Sequence, residues 1–388
     1  MWLAAWPVVA AMALSNEPAP LYVLWQERIG FSAATLTLIY AGYIAGLVLT
    51  LSLAGSLADR YGRRPVLLPG LLLGLAATAL FITADSVAVL GAARVLSGVS
   101  VGAVLSAGMA AVSDLAPEGE RKLGGLIAST SMVAGAALGP LLTGVLSQTL
   151  PHPTVTVFVL QLVLLLIAVL LVLRMPLPRG AAGAGRPGER LPLIPSAPRA
   201  HRRDLLAGLA VFAPAITATG FVLSLGPSLL AQLLRTDNRL ISGGLVFVLF
   251  AAATGIQFAV RRQQVPVQFA LGATLTVAGM AALISAVVLT SVALLLAAAV
   301  LAGFGQGAAQ LAGLSTLAAS VPAARLGEAN AALTAGGYLM AGTLPVADGY
   351  LSDAAGLTTG TTVFGIVVAA LAAAGALTVL PRSRDQAS

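Results

Sequence analysis

Apolar residues run through this chain in long blocks, broken by short polar or basic interruptions. A block must hold roughly 20 residues to cross about 30 Å of hydrocarbon as a helix. Twelve blocks qualify, at 2–25, 33–55, 65–84, 87–112, 122–147, 154–174, 204–227, 240–260, 265–288, 290–317, 327–350 and 357–380. None shows the ten-residue alternation of a membrane β-barrel. All but one of the connections are short. The exception, 175–203, is rich in Pro, Gly, Ala and Arg and reads as a cytoplasmic linker. It divides the pattern into an N-terminal bundle over 1–174 and a C-terminal bundle over 204–388, each of six spans.

Composition agrees with the pattern. Of the 388 residues, 58% are hydrophobic and 9% charged, against about 25% charged in a soluble domain. So little polar surface cannot cover a water-facing globule, and so little charge is not the mark of a disordered chain. The block from Trp2 lacks a basic leading region and a clear cleavage site, so it reads as the first span rather than a removed leader. The net charge of +7 sits in the loops and carries no nucleic-acid signal. With the N-terminus inside, 17 of the 21 basic residues fall on the inner side and three outside. That bias predicts an inner-membrane, multi-pass protein with both termini cytoplasmic.

The halves echo each other. Residues 94–108 match 299–313 at seven of fifteen positions, including Gly98 with Gly303 and Gly102 with Gly307, at a constant offset of 205. A duplicated bundle with parallel repeats places a transport site between its halves at mid-membrane depth.

The connection after the second span reads Gly55-Ser56-Leu57-Ala58-Asp59-Arg60-Tyr61-Gly62-Arg63-Arg64-Pro65. It resembles the signature loop of the major facilitator superfamily. Arg94 with Gly98 on the fourth span is similar to a second element of that family. Gly135-Ala136-Ala137-Leu138-Gly139-Pro140, followed by Gly144, looks like the fifth-span element of its drug–proton antiporter branch. The resemblance implies an all-α integral membrane fold of twelve transmembrane helices, in two six-helix bundles related by pseudo-symmetry. It also implies a cytoplasmic gate at Gly55, Asp59, Arg60, Gly62, Arg63 and Arg64, with Asp59 latching near Gly327. The loop between the eighth and ninth spans departs from the motif, with only Arg261-Arg262.

Elementary chemistry gives the gate parts their roles. Gly55 and Gly62 permit close approach and tight turns, and Arg63 or Arg64 can pair with Asp114 at the end of the fourth span. On the fifth span, Gly135 and Gly139 form a small-residue face on which helices pack closely. Pro140 removes one helical hydrogen bond and permits a bend.

Ionisable groups inside the spans are few: Glu17, Arg94 and Asp348. At 1.5 Å per residue, Glu17 and Arg94 lie about 12 and 10 Å below the same surface, so an ion pair between them is expected. Intramembrane charges cost roughly 3 kcal/mol each and tend to pair or do work. Burial disfavours the charged form of a carboxyl and a guanidinium restores it, so a pair that separates changes proton affinity. Glu17 is therefore the expected proton carrier and Arg94 its regulator, with Asn16, Pro18 and Pro20 interrupting the helix beside them. Asp348, near a span end and followed by Asp353, reads as solvated at the interface. Candidate cavity residues are Asn16, Tyr40, Tyr43, Phe212, Phe221, Gln257, Gln306, Gln310 and Tyr338.

No metal site is indicated, because cysteine is absent and His152 and His201 lie in loops. A catalytic nucleophile with its base is also missing, so no enzyme is expected. Without a phosphate-binding loop, the energy source is an ion gradient, with protons as the coupling ion and no cofactor. The expected function is proton-coupled export of small hydrophobic or cationic compounds by alternating access. Its alternative is a symporter or facilitator for a neutral metabolite such as a sugar. The expected partners are a small-molecule substrate and the lipid bilayer, with the protein acting as a monomer.

Overall fold

A computed structural model describes residues 2–117, 120–177, 198–235 and 238–379. Among them there is no β-strand. The helices are α1 (Trp2–Asn16), α2 (Tyr22–Trp25), α3 (Ala33–Tyr61), α4 (Arg64–Ile82), α5 (Val87–Asp114), α6 (Arg121–Thr149) and α7 (Pro153–Arg174). There follow α8 (Arg202–Ser224), α9 (Gly226–Leu234), α10 (Arg239–Val260), α11 (Val265–Val288), α12 (Val292–Ser320), α13 (Ala323–Ala355) and α14 (Leu357–Val379). Ten of these helices are long and apolar enough to cross a membrane. The other two expected spans are of different kinds. One breaks after the 15 residues of α1, and the other, the 33-residue α13, is diluted by small and polar residues.

Packing divides the chain into two compact units. One comprises Met1–Leu21, Ile39–Leu193 and Arg239–Gly244; the other comprises Tyr22–Leu38, Ile194–Asn238 and Leu245–Ser388. In the first unit α1 packs on α5, α6 and α7, and α4 packs on α5 and α7. In the second, α8 packs on α11, α12, α13 and α14. Polar side chains tie α1 to α7, because Gln161 Nε2 donates to the Ala10 carbonyl at 2.7 Å and Trp6 Nε1 to that of Leu164 at 3.0 Å. Such bonds count for helix association in lipid, where there is no hydrophobic drive between apolar helices.

Both units use one device for their tightest crossing. At Gly98 and Gly102 of α5, a Cβ would strike the carbonyls of Tyr43 and Leu47 on α3. At Gly303 and Gly307 of α12, it would strike those of Leu249 and Ala253 on α10. The duplicated sequence is thus a duplicated helix crossing, in which bare backbone meets backbone.

The signature segment differs from expectation. It is mostly helix: α3 runs on to Tyr61, because nothing in Ser56–Arg60 stops it. The turn comes at Gly62, whose φ of +95° favours glycine, and Pro65 stands within the first turn of α4. Gly55 lies inside α3 with open space where a Cβ would go, so it makes neither a turn nor a close approach. In the second unit the first two amides of α3, at Ala33 and Ala34, donate to Asp353 at 2.9 and 3.1 Å. An anion there meets both unpaired donors and the positive end of the helix dipole.

Two substitutions separate crossing from filler. Gly303→Val should cost about 1–3 kcal/mol through overpacking. Gly255→Ala, on an open face of α10, should be neutral or stabilising by up to about 1 kcal/mol. Thermal unfolding in detergent, followed by size-exclusion chromatography, distinguishes the two.

Candidate functional site

The first unit gathers its buried charges where its N-terminal span breaks. Pro18 and Pro20 carry no N–H, so they remove the amides that would continue the helical ladder past Asn16. Residues 19–21 tighten into a 3-10 turn, with Leu21 N donating to the Pro18 carbonyl at 3.0 Å. Carbonyls at the end of α1 are left to find other donors.

Arg94 supplies one. Its Nη1 donates to the Ser15 carbonyl at 2.9 Å, reaching from α5 across 79 residues of sequence. The side chain is only 2% exposed. Its guanidinium lies 4.5 Å from the centre of the Tyr43 ring and 5.6 Å from that of Tyr40, within the range of cation–π attraction. A cation at the C-terminal end of α1 also opposes the negative pole of that helix.

Glu17 follows two residues after Ser15 and is 5% exposed, with Oε2 buried and taking no hydrogen bond. Arg94 and Glu17 therefore stand at one level, as the depth arithmetic predicts. The guanidinium is engaged by the Ser15 carbonyl and the two tyrosine faces. Asn16 donates to the Ala136 carbonyl at 3.4 Å. That places it against the small-residue face of α6, where a Cβ on Gly139 would lie 2.6 Å from the Ala13 carbonyl.

The motif on α6 has a second side. A Cβ on Gly144 would fall 2.6 Å from the Arg239 carbonyl, and one on Gly243 would strike the Pro140 carbonyl. Gly135 and Gly139 seat α1, while Pro140 and Gly144 seat the start of α10. At the far end of the unit, Arg63 Nε meets Asp114 at 3.1 Å and Arg64 donates to the Met175 carbonyl. Arg60 lies over the ring of its neighbour Tyr61. Asp59, expected to latch near Gly327, is within α3, but its side chain lies outside the described residues; Gly327 lies on α13 with open space where a Cβ would go.

In the second unit α8 runs its full span to Ser224 before the turn into α9 at Leu225, without charge, and Ser224 bonds back to the Gly220 carbonyl at 2.8 Å. Ala299 stands at the position corresponding to Arg94 and is buried. Polarity gathers elsewhere. Gln306 Nε2 donates to Gln310 Oε1 at 3.1 Å, and Gln257 Nε2 approaches the same oxygen at 3.4 Å. Phe212 and Phe221 serve internal packing, Phe212 against Gly337 and Phe221 stacked on Phe364 at 4.7 Å. Tyr338 is half-buried on α13. Asp348 corrects an expectation: it is 5% exposed rather than solvated.

With this geometry in place, comparison settles the family. The Major Facilitator Superfamily model matches residues 1–263, and the chain belongs to that family of membrane transporters. One stretch of 116 residues is 37% identical to a triacylglyceride transporter of Mycobacteroides abscessus, covering 29% of this chain and 21% of that protein. Another of 129 residues is 23% identical to the quinolone resistance protein NorA of Staphylococcus aureus, covering 33% of each. The matched stretches thus span a third or less of either relative. The crystal structure of a bacterial homologue of the human lysosomal transporter Spinster shares the fold. It has a TM-score of 0.75 at 15% identity, covering 98% of this chain and 97% of that one.

Removing the Arg94 cap leaves a buried carbonyl without its charged donor. Arg94→Ala should destabilise the protein by about 1.5–3 kcal/mol, read as a lowered midpoint of thermal unfolding in detergent. Ser97→Ala, whose hydroxyl bonds within its own helix, should change it little.

Proposed function

We propose that this protein is a proton-coupled secondary transporter that exports small hydrophobic or cationic compounds by alternating access. The observation that carries the reading is Glu17, a buried acid with an unpartnered oxygen at a break in a membrane helix. A carboxyl so placed is completed by a proton or by a cationic cargo, and competition between the two couples them. Arg94, held over Tyr40 and Tyr43 beside the break, controls when Glu17 releases its proton by moving toward or away from it.

The parts of the mechanism follow. The bundles 1–174 and 204–388, joined by the linker 175–203, alternate the exposure of Glu17 between the two sides of the membrane. Gly55, Asp59, Arg60, Gly62, Arg63, Arg64 and Asp114 form the cytoplasmic gate, and the Gly135–Gly144 segment of α6 gives the crossing on which the motion turns. The protein is a monomer in the cell membrane with both termini in the cytoplasm. Protons are its coupling ion, and it uses no cofactor. Support for export comes from the resemblance of α6 to the antiporter element and from the similarity to a quinolone resistance protein. The similarity to a triacylglyceride transporter supports cargo at the hydrophobic end of the range.

The cluster of Gln257, Gln306 and Gln310 favours a second reading, symport or facilitated passage of a neutral polar metabolite. Against it, many span hydroxyls already donate to carbonyls of their own helices, as Thr78, Thr217, Thr276 and Thr316 do.

Proteoliposomes acidified inside provide the test, with lipophilic cations, sugars and neutral metabolites outside. The expected result is cation accumulation driven by outward proton flow. Glu17→Gln should reduce that accumulation at least about tenfold, the size expected when an essential proton-transfer group is removed, while exchange of labelled for unlabelled cargo persists. Full coupling in Glu17→Gln would remove Glu17 as the carrier. Movement of sugar only alongside inward protons would replace export with symport.

A further inference from the structure

Two helices cross from one compact unit to the other close to their starts. The first residues of α3, as far as Leu38, belong to the second unit and the rest to the first. The opening residues of α10, Arg239–Gly244, belong to the first unit and the rest to the second. Each start is seated in the same way. Asp353 of α13 accepts from Ala33 N and Ala34 N at 2.9 and 3.1 Å, and a Cβ on Gly349 would lie 2.8 Å from the Ala34 Cα. Gln148 Oε1 of α6 accepts from Arg239 N at 3.1 Å, and a Cβ on Gly144 would lie 2.6 Å from the Arg239 carbonyl oxygen. In both, a side chain meets an unpaired amide of a first helical turn, and a bare glycine four residues before it lets the backbone come close.

The two seats are copies of each other. Residues 140–148 and 345–353 share Pro, Gly, Leu and Ser at the offset of 205 that relates the halves, and Gln148 stands where the copy has Asp353. The helix starts obey the same offset, since it relates Ala34 to Arg239 and Thr37 to Ser242. Thr37 and Ser242 are both buried, at 0% and 3% exposure. A helix is ordinarily capped by the residue that precedes it. Here each cap comes from the opposite half of the sequence, the second span of one half being held by the fifth span of the other. Neither bond survives a movement that parts 1–174 from 204–388 at these helix starts, and a pair related by duplication breaks in the same movement.

We propose that the two caps are one clasp. Made together, they hold the starts of α3 and α10 against the opposite half, and they release together as the transporter opens there. Asp353 is the stronger member, because a carboxylate takes two amides at the positive pole of a helix where an amide oxygen takes one. The clasp rests on the alternating-access part of the proposed function and not on Glu17 as the proton carrier.

The chain contains no cysteine, so Thr37→Cys or Ser242→Cys supplies a sole thiol as reporter. The test is the rate of labelling by a fluorescent maleimide in phosphatidylcholine nanodiscs, without gradient or cargo, which stays readable if Glu17 proves not to couple protons. Slow labelling at both positions is expected with the caps intact. Asp353→Ala should speed it about tenfold at both positions, and Gln148→Ala about threefold at both. Asp353→Asn, which keeps one acceptor oxygen, should recover most of the slow rate. Gln148→Ala, at an exposed side chain, reads the clasp at position 37 if Asp353→Ala fails to fold. Acceleration confined to position 37 in Asp353→Ala and to position 242 in Gln148→Ala is the mark of two local caps and overturns the proposal. Unchanged rates in both cap variants, or fast labelling with both caps intact, overturn it as well.

Discussion

Inside a bilayer no water stands ready to satisfy a backbone group that its helix abandons. The first unit is organised around one such debt of hydrogen bonding. Pro18 and Pro20 end α1 early, and the Ser15 carbonyl is met by a guanidinium carried on α5. The demand explains why an arginine is tolerated at that depth. Its charge faces a carbonyl at the negative end of a helix and two aromatic faces rather than hydrocarbon. Tyr43 serves twice, since its ring lies against Arg94 while its carbonyl faces the bare backbone of Gly98. The polar site and the tight crossing of α3 with α5 therefore depend on the same turn.

The same scaffold without the charge appears in the second unit. Gly303 and Gly307 reproduce the crossing, yet Ala299 replaces the arginine, and the turn at Leu225 needs no distant donor because Ser224 folds back on its own helix. Duplication supplied the architecture, and the buried arginine of the first copy has no counterpart in the second. The two copies thus differ in their buried polar groups, with Glu17 and Arg94 in the first unit and the amides of Gln306 and Gln310 in the second.

Much of this was legible in the sequence, because the membrane imposes coarse rules. Long apolar blocks gave the spans, and matches at a constant offset gave the duplication; that its glycines are crossings, where a missing Cβ lets backbones approach, depends on partners that only the structure supplies. What escaped depended on partners rather than patterns. The extent of α3 to Tyr61 followed from the absence of any stop before Gly62, where a motif read as a loop concealed helix. Equal depth pointed to Glu17 and Arg94 together, but the Ser15 carbonyl that accepts from the guanidinium is invisible to residue counting. Asp348 read as solvated because Asp353 follows nearby. The structure separates them by function: Asp353 caps α3 while Asp348 turns inward among apolar walls.

The reach of Arg94 also bears on how the protein is made. The ribosome delivers α1 well before α5, and the donor for Ser15 is encoded 79 residues after its acceptor. A short segment carrying an acid and two prolines is a poor substrate for independent insertion. Until α5 emerges, its open carbonyls are best left beside water or the insertion machinery. The order of synthesis thus makes early membrane entry provisional, and it becomes final when the arginine arrives.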